Sequence, residues 1–215
     1  MEYTLDEFAL QRRTYRELLK TRPGFEEGMQ LAMKRIIAAP GGKPWKAVRE
    51  FPWKRGLTNW VAWIEKLVKA HPIPAATQVL WFEVPDCFNF SFTSISAYPK
   101  LGPKSDSFGL ESERTWPIDK EGWTLSKGKH VQEELDAVYK KAGCFKDDAP
   151  ETLMHGQYAL SYAYTFQLIT HGLPRTSLLS RLAERKVVVT MGWSEGDVDP
   201  VGQFGWGPIR SGSNS

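Results

Sequence analysis

Three acids at every second position, Glu195, Asp197 and Asp199 in SEGDVDP, are the first residues whose type and spacing invite chemistry. Carboxylates gathered this closely could hold a hard cation such as Ca²⁺ through oxygen. A cation loop of that kind follows D-x-[DN]-x-[DN]-G with a distal Glu that completes the shell. Here Gly196 falls between the first two acids, Pro200 follows the third, and no Glu stands at the closing distance. The run therefore reads as a turn after a strand, with Gly196 at a positive φ and the acids facing water.

A second group lies in the long polar stretch from 99 to 128. Asp106, Glu111 and Glu113, with Arg114 beside them and Glu83 and Asp86 on the neighbouring predicted hairpin, could supply a general acid and base if they converged. Nothing in their spacing forces convergence, and solvated loop charges are the simpler reading.

Other catalytic signatures are missing from the sequence. There is no G-x-S-x-G nucleophile elbow, and GPKS at 102–105 lacks the glycines of a phosphate loop. GQFGWG carries its glycines in the wrong order for a dinucleotide-binding turn. The four histidines, His71, His130, His155 and His171, show no H-x-x-x-H pair. On one helix His155 and His171 would stand about 160° apart. No cofactor and no metal is expected.

The strongest compositional signal is cationic and aromatic. Between Lys34 and Lys69 nine Lys/Arg face only Glu50 and Glu65, with Trp45, Trp53, Trp60 and Trp63 interleaved. Trp and Arg dominate binding hot spots, and exposed rings beside cations can also stack on single-stranded bases. Within this stretch KPWKAVREFPWKRG, residues 43–56, is the predicted contact segment, through Trp45, Lys46, Arg49, Trp53, Lys54 and Arg55. Trp60 belongs to an apolar helical stripe and reads as core, with Trp63 at its border. The asymmetry extends further: residues 1–70 hold 14 Lys/Arg against 8 Asp/Glu, whereas the remainder holds 14 against 17. A basic front favours an acidic partner.

The elements that must position these residues follow from periodicity. Thr4 and Glu7 in TLDE form a capping box ahead of an apolar helical stripe that ends at Arg22-Pro23-Gly24. FEEGMQLAMKRIIAA and LTNWVAWIEKLVKAH are two further amphipathic helices, stopped by Pro/Gly clusters. TQVLWFEV and FSFTSISAY read as adjacent antiparallel strands joined through PDCFN. A strand around 122–125 and a helix over HVQEELDAVYKKAG, ending at Gly143, come next. QYALSYAYTFQLITHGLP fits both periods, strict alternation and a helical face; its length and alanines favour helix. TSLLSRLAER then reads as a helix and KVVVTMGW as a buried strand.

The order predicts an α+β fold, a small, mainly antiparallel sheet covered by amphipathic helices, as one domain over 1–204 with a flexible tail over 205–215. The nine Trp, eleven Phe and seven Tyr predict an aromatic core. MEYTLDEFALQRR lacks the charged and apolar regions of a signal peptide, and no run nears the roughly 18 apolar residues of a membrane span. Cys87 and Cys144 form no framework and read as reduced thiols, which points to the cytoplasm. The favoured functional reading is a non-catalytic cytoplasmic binding protein, for instance immunity- or antitoxin-like, that meets an acidic protein through 43–56. The alternatives are a small hydrolase using the loop carboxylates and a single-strand nucleic-acid module.

Overall fold

In the computed structural model the described residues are 8–85, 93–98, 116, 127–182, 187–193 and 199–203. Helix α1 (Ala9–Thr21) buries Gln11, Thr14, Tyr15 and Leu18, one side of a 3.6-residue period. Its predicted capping box lies outside the described residues. The helix stops because Arg22 turns left-handed, at φ 46°, and returns its N–H to the Leu18 carbonyl. A side chain in that region costs about 1–2 kcal/mol. The Arg22 guanidinium offsets the cost by donating to the Val201 carbonyl at 2.7 Å and lying 5.3 Å from the centre of the Phe166 ring.

Helix α2 (Phe25–Ala38) begins with the Glu27 carboxylate reaching back to the Gly24 N–H, and turns Phe25, Met29, Ala32, Met33 and Ile36 inward. A 3₁₀ turn (Lys43–Val48) leads to α3 (Lys54–Ala70), which starts three residues before its apolar stripe and buries Leu57, Trp60, Ile64, Leu67 and Val68. Helix α4 (Lys129–Ala142) ends at Gly143, left-handed at φ 85°. That conformation lets the Cys144 N–H reach the Tyr139 carbonyl.

The ambiguous segment is helix α5 (Thr152–Gly172), and 15 of its 21 residues are buried. It packs against α1, α2, α3 and the last strand. A helix covered on every side needs no polar face, so its helical face does not stand out from the rest of the segment and the alternation of its rings is incidental. A 3₁₀ turn (Leu173–Arg175) and a short α6 (Ser177–Leu182) follow. Glu65 of α3 fixes the start of α6 by accepting the N–H and hydroxyl of Ser177.

Strands β1 (Val79–Glu83), β2 (Ile95–Tyr98), β3 (Val188–Gly192) and β4 (Asp199–Gln203) form one sheet in the order β2-β1-β3-β4. β1 and β2 are antiparallel, with Val79 opposite Tyr98. β1 and β3 are parallel, with Val79 opposite Val188, and β3 and β4 are antiparallel. The α+β class holds, but the sheet is mixed rather than mainly antiparallel. Helices α4 to α6 lie between β1 and β3 in the chain and supply the long crossover that a parallel pair needs. Leu80, Phe82 and Val84 enter the main core, while Val79 and Trp81 join Tyr98 in a second cluster. Burial on both faces explains why VLWF reads as a continuous apolar run.

β4 was hidden in the acidic run: DPVGQ has a Pro and a Gly where strand propensity would demand branched residues. It is an edge strand, which tolerates Pro200, and helix side chains hold it. Tyr15 donates its hydroxyl to the Pro200 carbonyl at 2.5 Å, and Tyr162 donates to Asp199. Asp199 is therefore bound to the helices instead of facing water; Glu195 and Asp197 lie outside the described residues. The predicted strand at 122–125 and the tail also lie outside them.

The α2–α5 contact is made at Gly28, where an added methyl would overlap the fully buried Gln167 amide. Gly28→Ala is expected to lower the unfolding free energy by about 1–3 kcal/mol. In a urea-unfolding cycle with Gln167→Ala the double variant should lose less than the sum of the two single losses.

Candidate functional site

The predicted contact segment spans the 3₁₀ turn and the start of α3. Its rings are not on the surface. Trp45 is 0% and Trp53 3% exposed. Trp45 sets its edge against Tyr139, centroids 6.0 Å apart, and Trp53 lies 5.1 Å from Tyr164 and 4.6 Å from Phe51. Trp45 and Val48 are three residues apart, so a 3₁₀ turn stacks them on one side and leaves Lys46 and Arg49 on the other. The expectation that Trp45 and Trp53 serve as contact rings is corrected: they anchor the segment to the core. Trp60 is core and Trp63 half-buried, as their stripe predicts.

The cations of the segment do face solvent. Lys43, Lys46, Arg49, Lys54 and Arg55 are all exposed. Arg49 approaches Glu50 at 3.8 Å, with side chains 73% and 93% exposed, a pair worth little in water. Among the described residues, Lys43, Lys46, Lys54 and Arg55 have no carboxylate within 4.0 Å. The result is a rigid cationic face on an aromatic base.

Next to it, α3, α4 and α5 meet at a polar cluster around Glu134. Tyr164 donates to Glu134 Oε2 at 2.5 Å, and Asn59 donates to Oε1 over a long 3.5 Å. Gly56 lies so close to the Tyr164 hydroxyl and Glu134 that any side chain would collide with both. Burial pushes the Glu134 carboxyl above its ordinary range, while the Tyr164 and Asn59 hydrogen bonds and the Arg55 charge pull it back down. Burial and the neighbouring Glu134 charge push the Tyr164 phenol up, so it stays a donor at neutral pH. These partners form a hydrogen-bonded network of a carboxylate, a phenol and an amide that joins three helices. In the sequence Glu134 looks like one more charge on an amphipathic helix and Tyr164 like one more core ring. The available signal was Gly56, a poor helix former placed in the first turn of a strongly amphipathic helix.

Glu83 accepts the Ser94 hydroxyl at 2.7 Å, and burial pushes it upward while Ser94 and Lys127 pull it down. Asp86, Asp106, Glu111, Glu113 and Arg114 lie outside the described residues. His171 Nε2 meets the Pro23 carbonyl at 2.9 Å, and burial lowers the pKa of His171 and of His130, whose ring stands 5.9 Å from Trp63. Cys144 is a free thiol that burial pushes up to about 12; Cys87 lies outside the described residues. Among the described residues no three His, Cys, Asp or Glu side chains gather as a metal shell, and no helix is long and apolar enough to cross a membrane.

Fold and site together define a helix-rich α+β protein whose most distinctive surface is a cationic face fixed to an aromatic core. Comparison with family models, curated proteins and solved structures gives no match to this chain.

A raised carboxyl favours folding while it is protonated. The contribution of Glu134 is fully present below the unfolded value near 4.5 and is lost as pH rises through the higher folded value. Glu83 acts in the same direction. Glu134→Gln should therefore flatten part of the fall in urea midpoint above pH 4.5, and adding Glu83→Gln should flatten more. An unchanged slope in both variants would refute the assignment.

Proposed function

We propose that the chain is a non-catalytic binding protein that recognises an acidic protein surface through the cationic face of residues 43–56. The observation that carries this reading is the set Lys43, Lys46, Lys54 and Arg55, exposed and without a carboxylate within 4.0 Å among the described residues. Long cationic side chains usually lose entropy on binding. Here Trp45 and Trp53 hold the backbone that displays them, so the ordering cost is confined to the side-chain tips. Blocking an acidic patch on an enzyme, as an immunity or antitoxin-like protein does, is one role that suits such a face. The buried rings weigh against the single-strand nucleic-acid reading, because a base-stacking platform needs them outside. The free thiol of Cys144 fits a reducing compartment and so the cytoplasm.

The triple variant Lys46→Glu, Lys54→Glu, Arg55→Gln tests the reading. Quantitative affinity capture from lysate should show an acidic protein retained by the wild type at low salt, released as salt rises, and lost from the variant. Circular dichroism should be unchanged. Equal capture by both proteins would overturn the proposal. Tight, steeply salt-dependent binding to an oligothymidine with no protein partner would replace it with the nucleic-acid reading.

A further inference from the structure

Helix α1 turns its apolar side to the core and a charged side outward. Its exposed residues are Arg12, Arg13, Arg16, Lys20 and Thr21, so every exposed residue but the last is a cation. By helical geometry the four cations fall within about 100° of arc, and Arg12, Arg16 and Lys20 follow one another about every 6 Å along the axis. The one acid of the helix, Glu17, lies outside that arc and is paired with Arg35 of α2. Among the described residues, Arg13, Arg16 and Lys20 have no carboxylate within 4.0 Å. Like charges three and four residues apart repel one another and weaken a helix. The row therefore works against the stability of α1, which the burial of Tyr15 and Leu18 secures.

We propose that this row is a docking ridge for nucleic acid and that its occupant is the phosphate backbone of a duplex. An unbroken row of one sign is complemented by a partner with an unbroken row of the other. A DNA duplex carries one negative charge for about every 1.7 Å of its axis. The roughly 10 Å of helix from Arg13 to Lys20 therefore stands against on the order of six phosphate charges. Arg supplies three of the four cations, and its planar fork can donate two parallel N–H bonds to one phosphate. A lipid surface is the poorer match: a helix lying on a membrane inserts its apolar side, and that side of α1 is inside the protein. Phosphate contacts position a protein without reading base sequence. They also need no exposed ring, so the burial of Trp45 and Trp53 does not weigh against them. The ridge uses no residue of 43–56 and stands or falls apart from the binding role proposed above.

Fluorescence anisotropy of a labelled DNA duplex of mixed sequence, titrated with the full chain over a salt series, tests the proposal. Wild-type affinity should fall steeply as salt rises. In the triple variant Arg13→Gln, Arg16→Gln, Lys20→Gln the slope of log affinity against log salt should flatten by about 2.7, or about 0.9 for each phosphate contact removed. Arg16→Gln alone should flatten it by about 0.9. Neither variant should lower the urea midpoint at low salt, because both relieve repulsion along α1 and Gln is nearly as good a helix former as Arg or Lys. The charge-matched control Lys46→Gln, Lys54→Gln, Arg55→Gln should keep the wild-type slope. Absence of salt-dependent duplex binding by the wild type would overturn the proposal. So would equal slopes for the α1 variant and the control. Wild-type binding to vesicles of mixed phosphatidylcholine and phosphatidylserine but not to the duplex would also overturn it, and would assign the ridge to anionic lipid.

Discussion

Burial of α5 on every side is the constraint to which the rest of the structure answers. A helix with 15 of 21 residues buried can be satisfied only by neighbours all round it. Helices α1, α2 and α3 and strand β4 provide them. The rings of α5 do much of the joining: Tyr162 and Phe166 meet Tyr15 edge-on at 5.4 and 5.7 Å, and Tyr164 meets Trp53. Such edge-to-face contacts add to simple area burial and fix orientation as well as proximity. Three hydroxyl groups on the helix find partners on neighbouring elements, whereas the buried side chains of Gln157, Thr165 and Gln167 find none among the described residues. Ser161 meets the Tyr139 hydroxyl at 2.6 Å, and the Tyr164 and Tyr162 hydroxyls are directed to Glu134 and Asp199.

The surface inherits its order from that core. Trp45 and Trp53 are spent inside, yet they decide what stands outside, because pinning those two rings forces the intervening cations outward. One short segment thus links the cationic face to the Glu134 cluster against which Gly56 packs. A carboxyl with a raised proton affinity next to a cationic face also ties folding stability to pH at the place where partner contact is proposed.

Strongly patterned elements were readable from their residues. The stripes of α2, α3 and α4, the Gly143 stop and the β1–β2 pair appear where periodicity and turn chemistry put them. β4 was not readable, because its strand state comes from pairing with β3 and from three helix-borne groups, Tyr15, Arg22 and Tyr162, far away in the chain. For the same reason the sheet looked mainly antiparallel: the parallel β1–β3 pair joins segments separated by three helices. At the candidate site the cations were found and the exposure of the rings was not. Composition can report that Trp and Lys alternate, but not which side of a 3₁₀ turn meets a core assembled from other helices.

By itself, then, the sequence determined the helices and most strands, the aromatic character of the core and the cationic stretch, since these depend on local periodicity and residue type. Only the tertiary structure decided that α5 is central, that the sheet is mixed, that Trp45 and Trp53 are interior, and that Glu134, Tyr164, Asn59 and Gly56 meet. Each of those depends on contacts between residues distant in sequence, and a linear pattern holds no record of which distant surfaces will bury one another.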